Sequence, residues 1–198
     1  MSRAKPYQPL ILRLIHGINA AIAILAIITS FLVYNTFDGR FGRLPLPQIP
    51  NIIDIHGTLG VFFLFSLPIL AIYSFHVGHK RLIQADSFHK LTQVGKPIWW
   101  YSLHRIVNTT MLLAATFALI SGRMMKEEWL PTGELDRTWY QLHLLGWVTL
   151  VICLAIHLLM ASKVGGTPLL VSMFSWKYRT DDSPATWFRK IRSRLRRS

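Results

Sequence analysis

Cysteine and acidic side chains are the scarce components of this chain. Cys153 stands alone, so no disulfide can close within the molecule and nothing about redox compartment follows from it. Nine Asp and Glu face twenty-two Lys and Arg, and the few acids cluster outside the apolar runs. From Tyr140 to Ser162 there is no Lys, Arg, Asp or Glu at all. Internal repeats, low-complexity tracts and a separate soluble domain are missing too, which excludes a flavin, iron–sulfur or nucleotide domain built into the chain. The apolar runs also lack a polar face, which excludes a soluble helical bundle.

Four long hydrophobic runs make up most of the sequence, roughly Leu10–Tyr34, Ile52–Phe75, Leu103–Met125 and Tyr140–Ser162, in a chain that is 52% hydrophobic. A run of ~20 residues at ~1.5 Å per residue crosses a hydrocarbon core of ~30 Å. Only helices or closed barrels satisfy every backbone group in lipid, so the expected fold is an all-α membrane protein with a four-transmembrane-helix bundle. The first run is longer than a signal-peptide core and is followed by no clear small-x-small cleavage site, so it is expected to remain as a helix.

Charge sets the orientation. One side would carry Arg3, Lys5, Arg13, Lys80, Arg81, Lys90, Lys96, Arg105, Lys163 and the basic tail; the other holds Arg40, Arg43, Arg123, Lys126 and Arg137, diluted by Asp38, Glu127, Glu128, Glu134 and Asp136. The positive-inside rule puts both termini in the cytoplasm. The net charge of +13 is then a property of the cytoplasmic face rather than a nucleic-acid footprint. The chain divides into a membrane unit, 1–165, and a basic cytoplasmic tail, 166–198. In the tail, TWFRKIRSRLRR places Trp187, Ile191 and Leu195 at helical spacing among basic residues, which suits an interfacial amphipathic helix on anionic lipid or an unstructured basic segment.

Four histidines sit inside these runs at matched depths. His16 lies about two turns from the inner end of the first span and His157 a similar distance from the inner end of the fourth; His56 and His143 lie just inside the outer ends of the second and fourth. On the fourth span the two imidazoles are about 3.9 turns apart, so they share a face and are separated by ~21 Å along the axis. Polar side chains in lipid face the bundle interior and mark function. Paired imidazoles inside a four-helix bundle suit axial ligation of iron porphyrin, a site built for electron transfer because both axial positions are filled. No C-x-x-C-H motif is present, so such haem is held without thioether links. Gly17, Gly57, Gly60 and Gly146 lie beside these histidines and would leave room for a flat macrocycle, or serve as helix-packing residues.

The segments RLIHG, DIHG, HLLGW and AIHLLMA resemble the di-haem b-type cytochromes, which comprise bacterial cytochrome b561 proteins and the cytochrome b subunits of membrane-bound formate dehydrogenases and nickel–iron hydrogenases. The resemblance covers most of the chain. It implies four core helices and two non-covalent haem b groups, the inner held by His16 and His157 and the outer by His56 and His143. Those four would be the iron ligands. It further implies electron transfer across the membrane between a redox partner, such as an iron–sulfur or dehydrogenase subunit, and quinone. The loop FHKLTQVGKPIWW resembles the cytoplasmic approach to the third helix in the formate dehydrogenase cytochromes, where quinone sits near the inner haem. Those subunits carry Asn and Gly where this chain has Thr92 and Val94. Gln93, Lys96 and His157 remain as polar contacts for a quinone carbonyl, with Lys96 reading first as a positive-inside interface anchor.

His104, at the inner start of the third span, is open to three readings: a competing ligand for the inner iron, a propionate partner, or a proton relay. Arg13 and Arg105 on the inner side and Arg123 on the outer are candidate propionate partners, or interface anchors. His76, His79 and His89 fall in or beside the cytoplasmic loop and are expected to be solvated. A haem-free transporter, or a proton or metal relay using intramembrane histidines, is the alternative function. Against it, the spans lack acidic partners apart from Asp54 at an interface, and only Pro68 interrupts a helix.

Overall fold

The computed structural model describes residues 7–177 and 179–195. Arg3 and Lys5, and Arg196 and Arg197 of the tail, lie outside the described residues. So do the side chains of Ile191 and Leu195.

The chain is an all-α bundle with four helices long and apolar enough to cross a membrane. Helix α1 is Leu10–Val33 and runs on as a π-helical turn, Tyr34–Asp38. Helix α2 is Ile52–His76, α3 is the short Ser87–Lys90, α4 is Pro97–Arg123, α5 is Thr138–Phe174, and α6 is Pro184–Leu195. Between them, loops turn where the chemistry allows. Gly39 takes φ 63°, a left-handed conformation cheap only without a Cβ, and its N–H closes on the Tyr34 carbonyl at 3.0 Å to end the first helix.

Two helices run longer than hydropathy alone predicts. Helix α4 starts at Pro97 rather than near Leu103, because proline at the first helical position carries its fixed φ and loses no bonded N–H there. The aromatic residues Trp99, Trp100 and Tyr101 are therefore in its first turns. Helix α5 continues past Ser162 to Phe174, but Gly166 (φ 65°, ψ −179°) and Pro168 break its regularity, so residues 167–174 form a second piece beyond a kink. The start of the tail is thus helical, and α6 forms within it.

The four long helices pack as two hairpins: α1 chiefly against α2, and α4 chiefly against α5, with sparser α1–α5 and α2–α4 contacts between them. Small residues bring α4 and α5 together. A Cβ on Gly146 would touch Ala118 and Phe117 at 3.4 Å, so this glycine serves helix packing rather than macrocycle clearance. Polar bonds tie the rest: Asn19 donates to the Ser66 carbonyl at 3.1 Å, and Trp147 Nε1 donates to the Ile27 carbonyl at 3.2 Å.

At the outer end, Val33, Ile52, Leu130 and Tyr140 form a buried cluster. Beside it Asp38 accepts from the Tyr140 hydroxyl at 2.6 Å and pairs with Arg40 at 2.8 Å, joining α1 to α5. The inner end is closed by the tail. The Arg13 guanidinium donates to the carbonyls of Ser175 and, at 2.9 Å, Lys177. Asp182 accepts from the Tyr7 hydroxyl, from the Leu10 N–H at 2.6 Å and from Trp187 Nε1 at 3.0 Å. A carboxylate at the first N–H of α1 also complements the positive end of that helix. Ile18, Leu25, Ile28, Phe65 and Ile72 point outward and are exposed in the isolated chain, the surface lipid would cover.

Candidate cofactor site

The seam between the two hairpins holds the histidines, α1 and α2 contributing from one side and α4 and α5 from the other. At the inner level the His16 and His157 rings are 6.2 Å apart between centroids; at the outer level the His56 and His143 rings are 6.0 Å apart. The structure therefore brings together the same pairs that share a depth in the sequence.

Each of three rings is held through Nδ1. His157 Nδ1 lies 2.8 Å from Asn108 Oδ1. His143 Nδ1 lies 3.0 Å from the Ala118 carbonyl and 3.2 Å from Ser121 Oγ. His56 Nδ1 lies 3.0 Å from Thr29 Oγ1, which also stands 2.9 Å from the Leu25 carbonyl and 3.1 Å from the Ala26 carbonyl. Carbonyl and amide oxygens only accept, so Nδ1 of His157 and His143 carries the proton, and their Nε2 keeps its lone pair. Gly122 gives His143 its space, since a Cβ there would sit 2.9 Å from the ring's Cε1.

Around the outer pair lies a cavity of about 940 Å³ bordered by His56, Gly57, Gly60, Arg123, His143 and Trp147. That is at the top of the ~300–1,000 Å³ range of cofactor pockets. A Cβ built on Gly57, Gly60 or Gly17 meets nothing within 4 Å, so the first two border open space in the cavity.

The remaining sequence candidates fall out unevenly. Arg123 is exposed at the cavity's rim. Arg13 is committed to the tail carbonyls, although its buried Nε has no partner among the described residues. Arg105 is committed to the cytoplasmic loop: its Nε donates to the Lys80 carbonyl at 2.9 Å, its guanidinium stands 4.4 Å over the Tyr101 ring, and Asp86 lies 3.8 Å away. His104 lies in the second turn of α4, not at its start, with its ring centroid 5.1 Å from that of His157 and a buried, unpartnered Nε2. Lys96 is exposed and Gln93 half-buried; no side-chain hydrogen bond or ion pair joins either to the inner histidines among the described residues. His76, His79 and His89 are exposed.

Asn108, Thr29, Ser121 and Gly122 are the residues sequence reading passed over. Asn108 left a signal, being an amide inside a span one turn from His104; the others looked like ordinary small residues of a membrane helix.

Four membrane-length helices with histidines paired across an internal seam define a multi-pass helical membrane protein with candidate metal-ligand pairs. The chain matches the family described as prokaryotic cytochrome b561 over residues 7–176, and it belongs to that family. It is accordingly a membrane b-type cytochrome of electron transfer. No curated protein and no solved structure matches it.

The donor set fits haem b. Imidazole–metal bonds of ~2 Å on both sides of an iron, plus the half-widths of two five-membered rings, place ring centres roughly 6 Å apart. Both pairs stand at that separation.

Proposed function

We propose that the protein is a di-haem cytochrome of the bacterial inner membrane that carries electrons between a redox partner on the outer side and quinone near the cytoplasmic side. The observation that carries this reading is the pair of histidine couples, 6.2 and 6.0 Å between ring centres, each spanning the seam between hairpins. His16 and His157 hold the inner haem, and His56 and His143 the outer one. Haem held by paired imidazoles would supply one-electron redox chemistry and be closed to small molecules.

The chain's own residues do the rest. Asn108, Ala118, Ser121 and Thr29 hold the rings by Nδ1, which orients Nε2 and fixes the tautomer. Arg123, at the cavity's rim, would pair with an outer propionate. The apolar lining of the cavity excludes water and so helps set the potential. Because His143 and His157 share a face of α5 and stand ~21 Å apart along its axis, haems held there would span most of the hydrocarbon layer. The acidic residues Glu127, Glu128, Glu134 and Asp136 line an outer loop suited to a partner such as an iron–sulfur subunit. On the inner side Gln93 and Lys96 stand in the loop that resembles a quinone approach.

The test is the haem-to-protein ratio of the purified protein with its reduced and carbon monoxide difference spectra. Two non-covalent haems per chain, low-spin and unresponsive to carbon monoxide, are expected. A haem-free protein, or a full carbon monoxide shift, would overturn the reading.

A further inference from the structure

The two haem sites differ in what accepts the ligand's Nδ1 proton. At the outer level the hold is shared: His143 bonds a backbone carbonyl inside α4, that of Ala118, with Ser121 Oγ beside it, and His56 Nδ1 meets Thr29 Oγ1, so no single side chain governs that pair. At the inner level the acceptor is a side chain, Asn108 Oδ1, 2.8 Å from His157 Nδ1. Among the described residues the His16 ring makes no hydrogen bond, so Asn108 is the polar hold on the inner pair.

The orientation of that amide is forced. Asn108 Nδ2 donates to the Arg81 carbonyl at 3.1 Å, and a carbonyl oxygen can only accept. The amide's oxygen must therefore face His157, which makes His157 the donor and leaves Nε2 bare. The Arg81 carbonyl sits in a loop that α4 pins at three points: Arg105 Nε to the Lys80 carbonyl at 2.9 Å, Asn108 to Arg81, and the Ile83 N–H to Thr109 Oγ1 at 2.9 Å. Residues 105, 108 and 109 lie within about one turn of α4, so a single turn ties the loop, the amide and the ligand together.

We propose that Asn108 is a positioning residue that sets the reduction potential of the inner haem separately from the outer one, through its hydrogen bond from His157 and under the control of the Lys80–Ile83 loop. This rests on the di-haem reading above. An acceptor on Nδ1–H enriches Nε2 in electron density and favours the ferric state. Losing the acceptor makes the inner iron easier to reduce; a charged acceptor makes it harder. Anything that shifts the cytoplasmic loop shifts the amide, and through it the potential of the haem on that side.

The experiment is a spectroelectrochemical titration of full-length, haem-loaded protein as wild type, Asn108→Leu and Asn108→Asp. A parallel titration in a His143→Ala background identifies the inner component. Asn108→Leu should favour reduction of the inner haem by about tenfold, equivalent to ~59 mV for one electron, and Asn108→Asp should disfavour it, while the outer component stays in place. A purely structural role would not move the potential in opposite directions. If the inner component is unmoved in both variants, or the outer one moves with it, the proposal is wrong. Should Asn108→Leu lose the inner haem, Asn108→Asp decides by the same criterion. A wild type without two haems overturns instead the reading on which the proposal rests.

Discussion

Replacing Gly122 by alanine should remove the outer haem while leaving the bundle and the inner haem intact. The added Cβ would stand 2.9 Å from His143 Cε1 and 3.3 Å from Nδ1, whereas carbon atoms in contact prefer ~3.5–4.0 Å. The ring must retreat by roughly 0.6 to 1.1 Å, beyond the ~0.5 Å within which a site's geometry must be held. It has nowhere to go without cost, because Nδ1 is bonded to the Ala118 carbonyl at 3.0 Å and Ser121 Oγ at 3.2 Å. Overpacking of this kind costs about 1–3 kcal/mol, falling on the ligand itself, whereas alanine in place of glycine favours the helix by about 1 kcal/mol. The fold should therefore survive and outer-haem affinity should fall by about one to two orders of magnitude. Haem-to-protein ratio and a two-component redox titration read the result: the ratio drops from two toward one, with only the outer component lost. Full occupancy of both sites with unshifted potentials would show that His143 is not an outer ligand in this geometry.

Removing one histidine of a pair should empty one site only: His56→Ala or His143→Ala the outer, His16→Ala or His157→Ala the inner, followed by the same titration. Loss of the inner component on changing His56 would break the pairing. In Asp38→Asn the Arg40 ion pair is lost and the Tyr140 bond weakened around a side chain with no solvent exposure. The thermal midpoint in detergent should fall, at a cost of about 1–3 kcal/mol; an unchanged midpoint would mean the outer clasp is idle. At Asp182, burial pushes the carboxyl up, but the hydrogen bonds from Tyr7, the Leu10 N–H and Trp187, together with the nearby Arg13 charge, outweigh it and hold the group below its ordinary 3.8. A lowered folded value means that stability is present above the ordinary value and lost as pH falls through the lowered one. Limited proteolysis of the tail should therefore accelerate only below about pH 4, and Asp182→Asn should bring that sensitivity to neutral pH. A tail equally resistant in both conditions would contradict the clasp.

The spans and the depth pairing were legible in the sequence because each depends on one coordinate along a helix axis. Lipid demands a continuous apolar run with its backbone bonds closed internally, so Ile52–Phe75 reads directly as a span. A fixed rise per residue turns the numbers 16, 157, 56 and 143 into levels. Helix ends were less legible. Pro97 and the Gly166–Pro168 break act through backbone conformation, to which hydropathy is blind, so α4 began earlier and α5 ran further than the apolar runs indicate.

What only the tertiary structure decided is lateral: which helix stands beside which, and how each is rotated. Arg13 and Arg105 are as suitable for a propionate in composition as Arg123, but the tail carbonyls claim the first and the Lys80 carbonyl claims the second. Gly146 was open to macrocycle clearance or helix packing and its contact with Ala118 selects packing, while Gly122, which no histidine flanks in sequence, makes room for His143. Asn108 meets His157 across forty-nine positions. Such contacts arise from the rotation and packing of whole helices, to which every interface residue contributes, so no local stretch of sequence encodes them.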